Sequence, residues 1–233
     1  MLILALESSA KPASVAVVSN GVLLGQYFQN SKLTHSKTLL PMAEALLNNL
    51  DITISDVGLI AVSRGPGSFT GVRIGVSVAK GLAWGAEIPV CGVSTLEAMA
   101  YQTPEHGVII CPVMDARRNQ VYNALFEQRD GKPFRLCDDR AVSLEYLSAG
   151  LKEYNVPCLL VGDGAEISYE FLCADGISCR IAPDLMRFQT AYGVALAAMI
   201  AKPIQAIDLE PSYLRPSQAE REKEARGERK TES

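Results

Sequence analysis

Short apolar runs separated by turn residues and amphipathic stretches cover most of the 233-residue chain. Residues 2–6 form an uninterrupted apolar run with the length of a buried strand. Residues 13–18 and 22–28 flank Ser19-Asn20-Gly21, and Asn-Gly between two β-prone runs predicts a hairpin. From Thr34 or Thr38 to Leu50, the residues Leu39, Ala43, Leu46, Leu47 and Leu50 fall on one helical face. Pro41 fits the first turn if Thr38 is the N-cap, and should kink the helix if it begins at Ser36. A strand at 58–62, a helix at 69–84, a strand at 89–93 and a helix at 95–102 follow. The second half predicts strands at 108–114 and 120–126, a turn at Arg129-Asp130-Gly131-Lys132 and another short strand. A helix at 143–154, a strand at 157–161, a helix at 165–173, a strand at 178–181 and a helix at 190–202 complete it.

A meander followed by alternating strands and helices, given twice, predicts two related α/β lobes. They span 1–104 and 105–215, with the last helix a candidate to pack back on the first lobe. No repeat at the level of sequence accompanies the duplication. Residues 220–232 hold five acidic and five basic side chains and no apolar stripe, so 216–233 is expected to be a solvated, disordered tail.

The segment GPGSFTGVRIGVSVAKGLAW, residues 65–84, has the turn and capping residues of a phosphate loop but not its spacing. It lacks G-x-x-x-x-G-K-[ST], and Lys80 stands two to three turns beyond the helix start. Gly71, Gly75, Ala79 and Ala83 recur every four residues as a smooth ridge, beside Val72 and Val76. Glycine inside a helix costs about 1 kcal/mol relative to alanine, so the ridge calls for a close approach by another backbone. Two sources fit equally: an internal crossing with the 34–50 helix, or a second molecule. Trp84, which closes the helix, reads as a packing residue.

Composition narrows the function. The net charge of −4 and the lack of a basic block argue against a chain that grips a nucleic-acid backbone alone. Six dispersed cysteines, none in a C-x-x-C pair, read as reduced core thiols. The opening MLILALE has no basic start and no long apolar run, and no stretch reaches a membrane span, which predicts a cytoplasmic protein.

Five motifs in order carry a family resemblance: Glu7-Ser8-Ser9, the HSKTLLP of 35–41, the GPGSFTGVRIG of 65–75, the MDARRNQVY of 114–122 and the PSYLR of 211–215. With them the chain resembles the bacterial TsaB family, also known as YeaZ or glycoprotease-like, over 1–216. The resemblance implies the two-lobed actin/Hsp70/sugar-kinase α/β fold. It also implies a place beside TsaD, a metal-binding relative that transfers a threonylcarbamoyl group to the adenosine next to the tRNA anticodon. TsaE-type ATPase and TsaC-type threonylcarbamoyl-AMP synthase belong to the same pathway. Family members pair with TsaD, or with themselves as homodimers, through their first two helices. Carried onto this chain, the interface comprises His35, Leu39, Leu40, Ala43, Leu46 and Leu47 of the first helix. On the second it comprises Gly71, Val72, Arg73, Gly75, Val76, Ala79, Lys80 and Ala83.

The chemistry of the catalytic relative is missing. Its H-x-x-x-H helix corresponds here to residues 95–99, where Thr95 and Met99 replace the imidazoles, and the chain has only His35 and His106. Neither a metal site nor a catalytic residue is expected. Glu7, Ser8 and Ser9 occupy the phosphate-contacting place of this fold and are candidates to lie near a nucleotide, with ATP or ADP held at a shared interface rather than by this chain alone. Many family members have Asp in place of Glu7. Asp115, Arg117 and Arg118 read as a structural clamp between lobes, since a guanidinium fixes a carboxylate bidentately. The resulting expectation is a non-catalytic scaffold subunit for TsaD. An ATP-dependent transferase or ATPase of the same fold is the alternative, followed by a metalloprotease, for which the sequence offers no ligand set or nucleophile–base pair.

Overall fold

The computed structural model describes residues 1–31 and 33–215; the tail expected to be solvated, 216–233, lies outside them. The first sheet has the order β3-β2-β1-β4-β5, built from β1 (Leu2–Glu7), β2 (Ala13–Ser19), β3 (Val22–Gln29), β4 (Leu59–Ser63) and β5 (Val90–Val93). The meander β1–β3 is antiparallel, and β4 and β5 join in parallel. Side chains alternate across it. Leu4 and Leu6 of β1 face a core shared with α1 (His35–Asn49) and α2 (Phe69–Ala86). Ile3 and Ala5 face a second core built with α7 (Ala191–Ala198). The last helix thus covers the first sheet, not the second, and ends at Ala198 rather than near 202.

The second sheet runs β10-β7-β6-β11-β12, with the β8–β9 hairpin attached to β6. Its strands are β6 (Ile109–Asp115), β7 (Gln120–Asn123), β8 (Phe126–Arg129), β9 (Lys132–Arg135), β10 (Arg140–Ser143), β11 (Cys158–Val161) and β12 (Cys179–Ile181). One face packs on α4 (Leu144–Leu151) and α5 (Ala165–Ala174). The other meets α3 (Thr95–Tyr101), whose Leu96, Met99 and Ala100 join it while Ala98 faces the first lobe. Two sheets, each with helices on both faces, make up the α/β architecture that the resemblance implied.

Two local expectations need correction, and one open alternative is decided. The strand read over 120–126 breaks at Ala124-Leu125, where buried Asn123 turns its amide nitrogen to the carbonyls of Pro112 and Ala124. β10 and the short helix α6 (Asp184–Arg187) were not predicted; β10 follows Asp138-Asp139 and is recognisable only through its pairing with β7. The helix at 35–49 starts on Thr34, so Pro41 lies in its second turn and removes the amide that would bond Lys37.

Candidate docking face and inter-lobe cleft

α2 begins where Ser68 Oγ accepts the Gly71 amide at 3.3 Å, and ends at Glu87 in the left-handed region. Gly71, Gly75, Ala79 and Ala83 are all buried. A Cβ at Gly71 would stand 2.1 Å from the carbonyl oxygen of Ser8, and one at Gly75 would stand 2.4 Å from Ser8 Oγ. Ser8 Oγ in turn donates to the Gly71 carbonyl at 2.9 Å. The close approach that the glycines require is therefore to the chain leaving β1 within the same molecule. The ridge faces inward, as the internal reading had it, with the chain leaving β1 rather than α1 at the closest approach; the reading that turned it to a second molecule is corrected.

The remaining interface residues carried over from the family divide in the same way. Leu39, Ala43, Leu46, Leu47, Val72 and Val76 are buried in the first-lobe core. His35 Nε2 lies 2.7 Å from the Ala10 carbonyl oxygen. Lys80 Nζ donates to the carbonyls of Ile207 and Leu209 at 3.0 and 3.1 Å. Arg73 Nε donates to Tyr213 Oη at 2.9 Å, with its guanidinium over the Phe69 ring. Leu40, 46% exposed, is the member of the set that presents an apolar side chain outward.

What α1 and α2 do present was not read from the sequence. Ser77, Gly81 and Gly85 form an exposed row on α2 at the same four-residue spacing, and neither Gly81 nor Gly85 has any heavy atom within 4 Å of a built Cβ. Leu40, Glu44 and Asn48 of α1 face Gly81, Leu82 and Gly85 of α2 across a groove of about 530 Å³. Trp84, expected to pack, is 70% exposed. The signal available was the cost of Gly81 and Gly85 in a helix, which the inward ridge leaves unexplained.

A larger cleft of about 790 Å³ lies between the lobes and is lined by Ser9, Lys11, His35, Asp115, Arg117 and Asp163, among others. A strap at 212–215 closes one side. Ser212 donates its amide to the Arg64 carbonyl, Tyr213 stacks on Phe69 at 4.0 Å, and Arg215 Nη1 donates to the Ala116 carbonyl at 3.1 Å. Of the candidate nucleotide residues, only Ser9 lines this cleft, with its buried Oγ unpartnered. Ser8 is committed to α2, and Glu7 is fully buried with Oε1 accepting the Ser9 amide at 2.6 Å. Burial raises the Glu7 pKa, opposed in part by hydrogen bonding from Ser9.

A buried acid of this kind makes the fold pH-dependent. The folded state holds the proton more tightly than the unfolded one, so the contribution of Glu7 is complete below its ordinary pKa of 4.5 and is lost as pH rises through the folded value. Urea midpoints measured from about pH 4.5 to 8 should therefore fall for the native chain relative to Glu7→Gln. Parallel profiles for the two would contradict a buried neutral carboxyl.

The clamp assigned to Asp115, Arg117 and Arg118 is not formed. Asp115 Oδ1 accepts the backbone amide of Arg117 at 2.7 Å, and no ion pair joins it to either guanidinium among the described residues. Arg117, Arg118 and Asn119 have φ of 64°, 58° and 54°, a left-handed hairpin tip that sends both arginines into solvent. Arg215 makes the contact across to this loop instead.

The place corresponding to the relative's metal helix is α3. Thr95 and Met99 are fully buried there, and Met99 packs in the core between α3 and the second sheet. A hydroxyl and a thioether closed in by apolar neighbours do not fit a metal that takes imidazole nitrogen. Among the described residues no cluster of three His, Cys, Asp or Glu side chains could hold one, and no helix is long and apolar enough to cross a membrane.

A sequence profile of the TsaD family, described as tRNA N6-adenosine threonylcarbamoyltransferase, matches residues 24–175. The tRNA threonylcarbamoyladenosine biosynthesis protein TsaB of Bacillus subtilis is 32% identical over 94% of this chain and 96% of its own length. The chain belongs to the TsaB family. The Escherichia coli protein of the same name is 40% identical over 56% of each chain. The solved structure of YeaZ from Pseudomonas aeruginosa superposes with a TM-score of 0.79 at 26% identity, covering 91% of this chain and 99% of that one. Family membership ties the chain to tRNA threonylcarbamoyladenosine biosynthesis and to a TsaD-type partner.

Proposed function

We propose that the chain is a non-catalytic scaffold subunit that presents the groove between α1 and α2 to a TsaD-type enzyme, supporting transfer of threonylcarbamoyl to the adenosine next to the tRNA anticodon. The observation that carries this reading is the filling of the α3 position by Thr95 and Met99 as packing residues, within a family matched by the TsaD profile. A chain of this fold without ligands at that place contributes surface rather than chemistry. The groove offers what a helical partner needs, small residues for close approach and an apolar floor, and α2 adds the exposed indole of Trp84 outside the groove's lining.

On this reading the same face pairs two copies when the chain is alone and is handed over to the catalytic subunit. RNA is held mainly by the complex, in keeping with a net charge of −4. TsaE-type and TsaC-type proteins act in the same pathway. With Glu7 and Ser8 closed off, any ATP or ADP lies at the surface shared with the partner. The test is reconstitution. A TsaD-type subunit supplied with threonylcarbamoyl-adenylate and unmodified tRNA should modify adenosine at background level alone and many times faster with the chain added. Modified adenosine formed by the chain without that subunit would replace this reading with the transferase one.

A further inference from the structure

The turn between α5 and β12 brings two thiols together. Cys173 is the penultimate residue of α5 and Cys179 is the first of β12. The helix ends through Gly176 in the left-handed region, with the Gly176 and Ile177 amides returning to the carbonyls of Cys173 and Leu172. The chain reverses there, and Cys179 comes back beside the last helical turn. The two Sγ atoms are 3.7 Å apart. Cys173 is exposed and Cys179 half-buried, whereas Cys91, Cys111 and Cys158 are buried. A disulfide requires an S–S distance of about 2.05 Å. The remaining approach, under about 2 Å, is of the size that χ1 adjustments of two side chains can share.

We propose that Cys173 and Cys179 are a redox-modifiable pair, which a low-molecular-weight disulfide converts into an intramolecular disulfide. Cys173, the accessible member, loses its proton and attacks one sulfur of the incoming disulfide. That S–S bond breaks, a mixed disulfide forms on Cys173, and the departing thiolate takes up a proton. Cys179 then attacks Cys173 Sγ, its own proton passing to the second departing thiol. The chain loses two protons and two electrons, and the reagent leaves as two thiols.

The order of attack follows from the surroundings. The Cys179 thiol is pushed up to about 12 by burial and by its contact with Cys173, so it is a poor first nucleophile. Loading Cys173 replaces its thiol with a disulfide sulfur and leaves Cys179 beside an electrophile. The new bond would tie α5 to β12, the edge strand of the second sheet, where the adjacent Arg180 pairs with Glu105 of the connection between the lobes. It would lie in the lobe opposite the α1–α2 groove, and the inference stands apart from the function proposed above.

The test is treatment of the full chain with oxidised glutathione under native conditions, followed by alkylation and mass spectrometry. The native chain should lose two alkylatable thiols, Cys173 and Cys179, about tenfold or more faster than Cys91, and regain them with dithiothreitol. Cys179→Ser should instead retain one glutathione on Cys173, and Cys173→Ser should leave Cys179 alkylatable. Three results would overturn the proposal: both thiols remaining alkylatable in the native chain, a lasting glutathione adduct on Cys173 beside a free Cys179, or a bond from Cys173 to another cysteine. The native chain supplies all three readouts, so a variant that failed to fold would not remove the test.

Discussion

Gly71→Ala should destabilise the first lobe by about 3 kcal/mol, whereas Gly81→Ala, on the same helix, should leave it as stable or slightly more so. At residue 71 the added methyl would meet a backbone carbonyl at 2.1 Å, and α2 could accommodate it only by lifting from the exit of β1. The Ser8–Gly71 hydrogen bond would break, and the contacts of Val72 and Val76 in the core would open. At residue 81 the methyl meets nothing within 4 Å and gains helix propensity of about 0.5–1 kcal/mol. Gly75→Ala falls between, because its obstacle is the Ser8 hydroxyl at 2.4 Å while Ser8 Cβ stays 3.8 Å away. Ser8→Ala should therefore relieve Gly75→Ala and do nothing for Gly71→Ala. Urea denaturation followed by far-UV circular dichroism reads all four variants, and the double-mutant comparison isolates the coupling. Native midpoints for Gly71→Ala would mean that α2 does not rest on β1 as described.

The same helix illustrates how far a sequence can be read. Its period and its need for close packing were legible in Gly71, Gly75, Ala79 and Ala83, and so were most of the strands around it. The direction of the ridge was not. A helix with apolar residues on nearly every side has no polar face to orient it, and α2 carries two rows of small residues, one through Gly75 and one through Gly81. Only the position of Ser8, 63 residues from Gly71, decides which row is covered. The bonds of Lys80 and Arg73 were hidden for a related reason: their partners lie 127 to 140 residues away, at Ile207, Leu209 and Tyr213, where no periodicity links them. Asp115 and Arg117 failed locally. A carboxylate two residues before an amide can close a turn on it, and that short bond, with three left-handed residues after it, replaced the expected ion pair. The lack of imidazole at Thr95 and Met99 was legible because it is a matter of residue type, and structure adds only that both side chains are buried.

Trp84→Ala should weaken association with a TsaD-type subunit by about thirtyfold or more, the loss of about 2 kcal/mol typical of an aromatic anchor, while leaving thermal unfolding of the isolated chain unchanged. The indole is 70% exposed on the same helix as the Gly81–Gly85 row, so in the free subunit it has little packing to lose. Its apolar area becomes useful only when a second helix covers it. Gly81→Leu acts on the other requirement of the groove: it fills the space above α2 and should hold a partner backbone away, again without cost to folding. The same two variants should shift any homodimer of the isolated chain toward monomer in sedimentation, because one face cannot serve both contacts at once. Contrasted with Gly71→Ala, they separate stability from association on a single helix. Native affinity for the TsaD-type subunit in both Trp84→Ala and Gly81→Leu would move the docking face away from α1 and α2, whatever the fate of the homodimer.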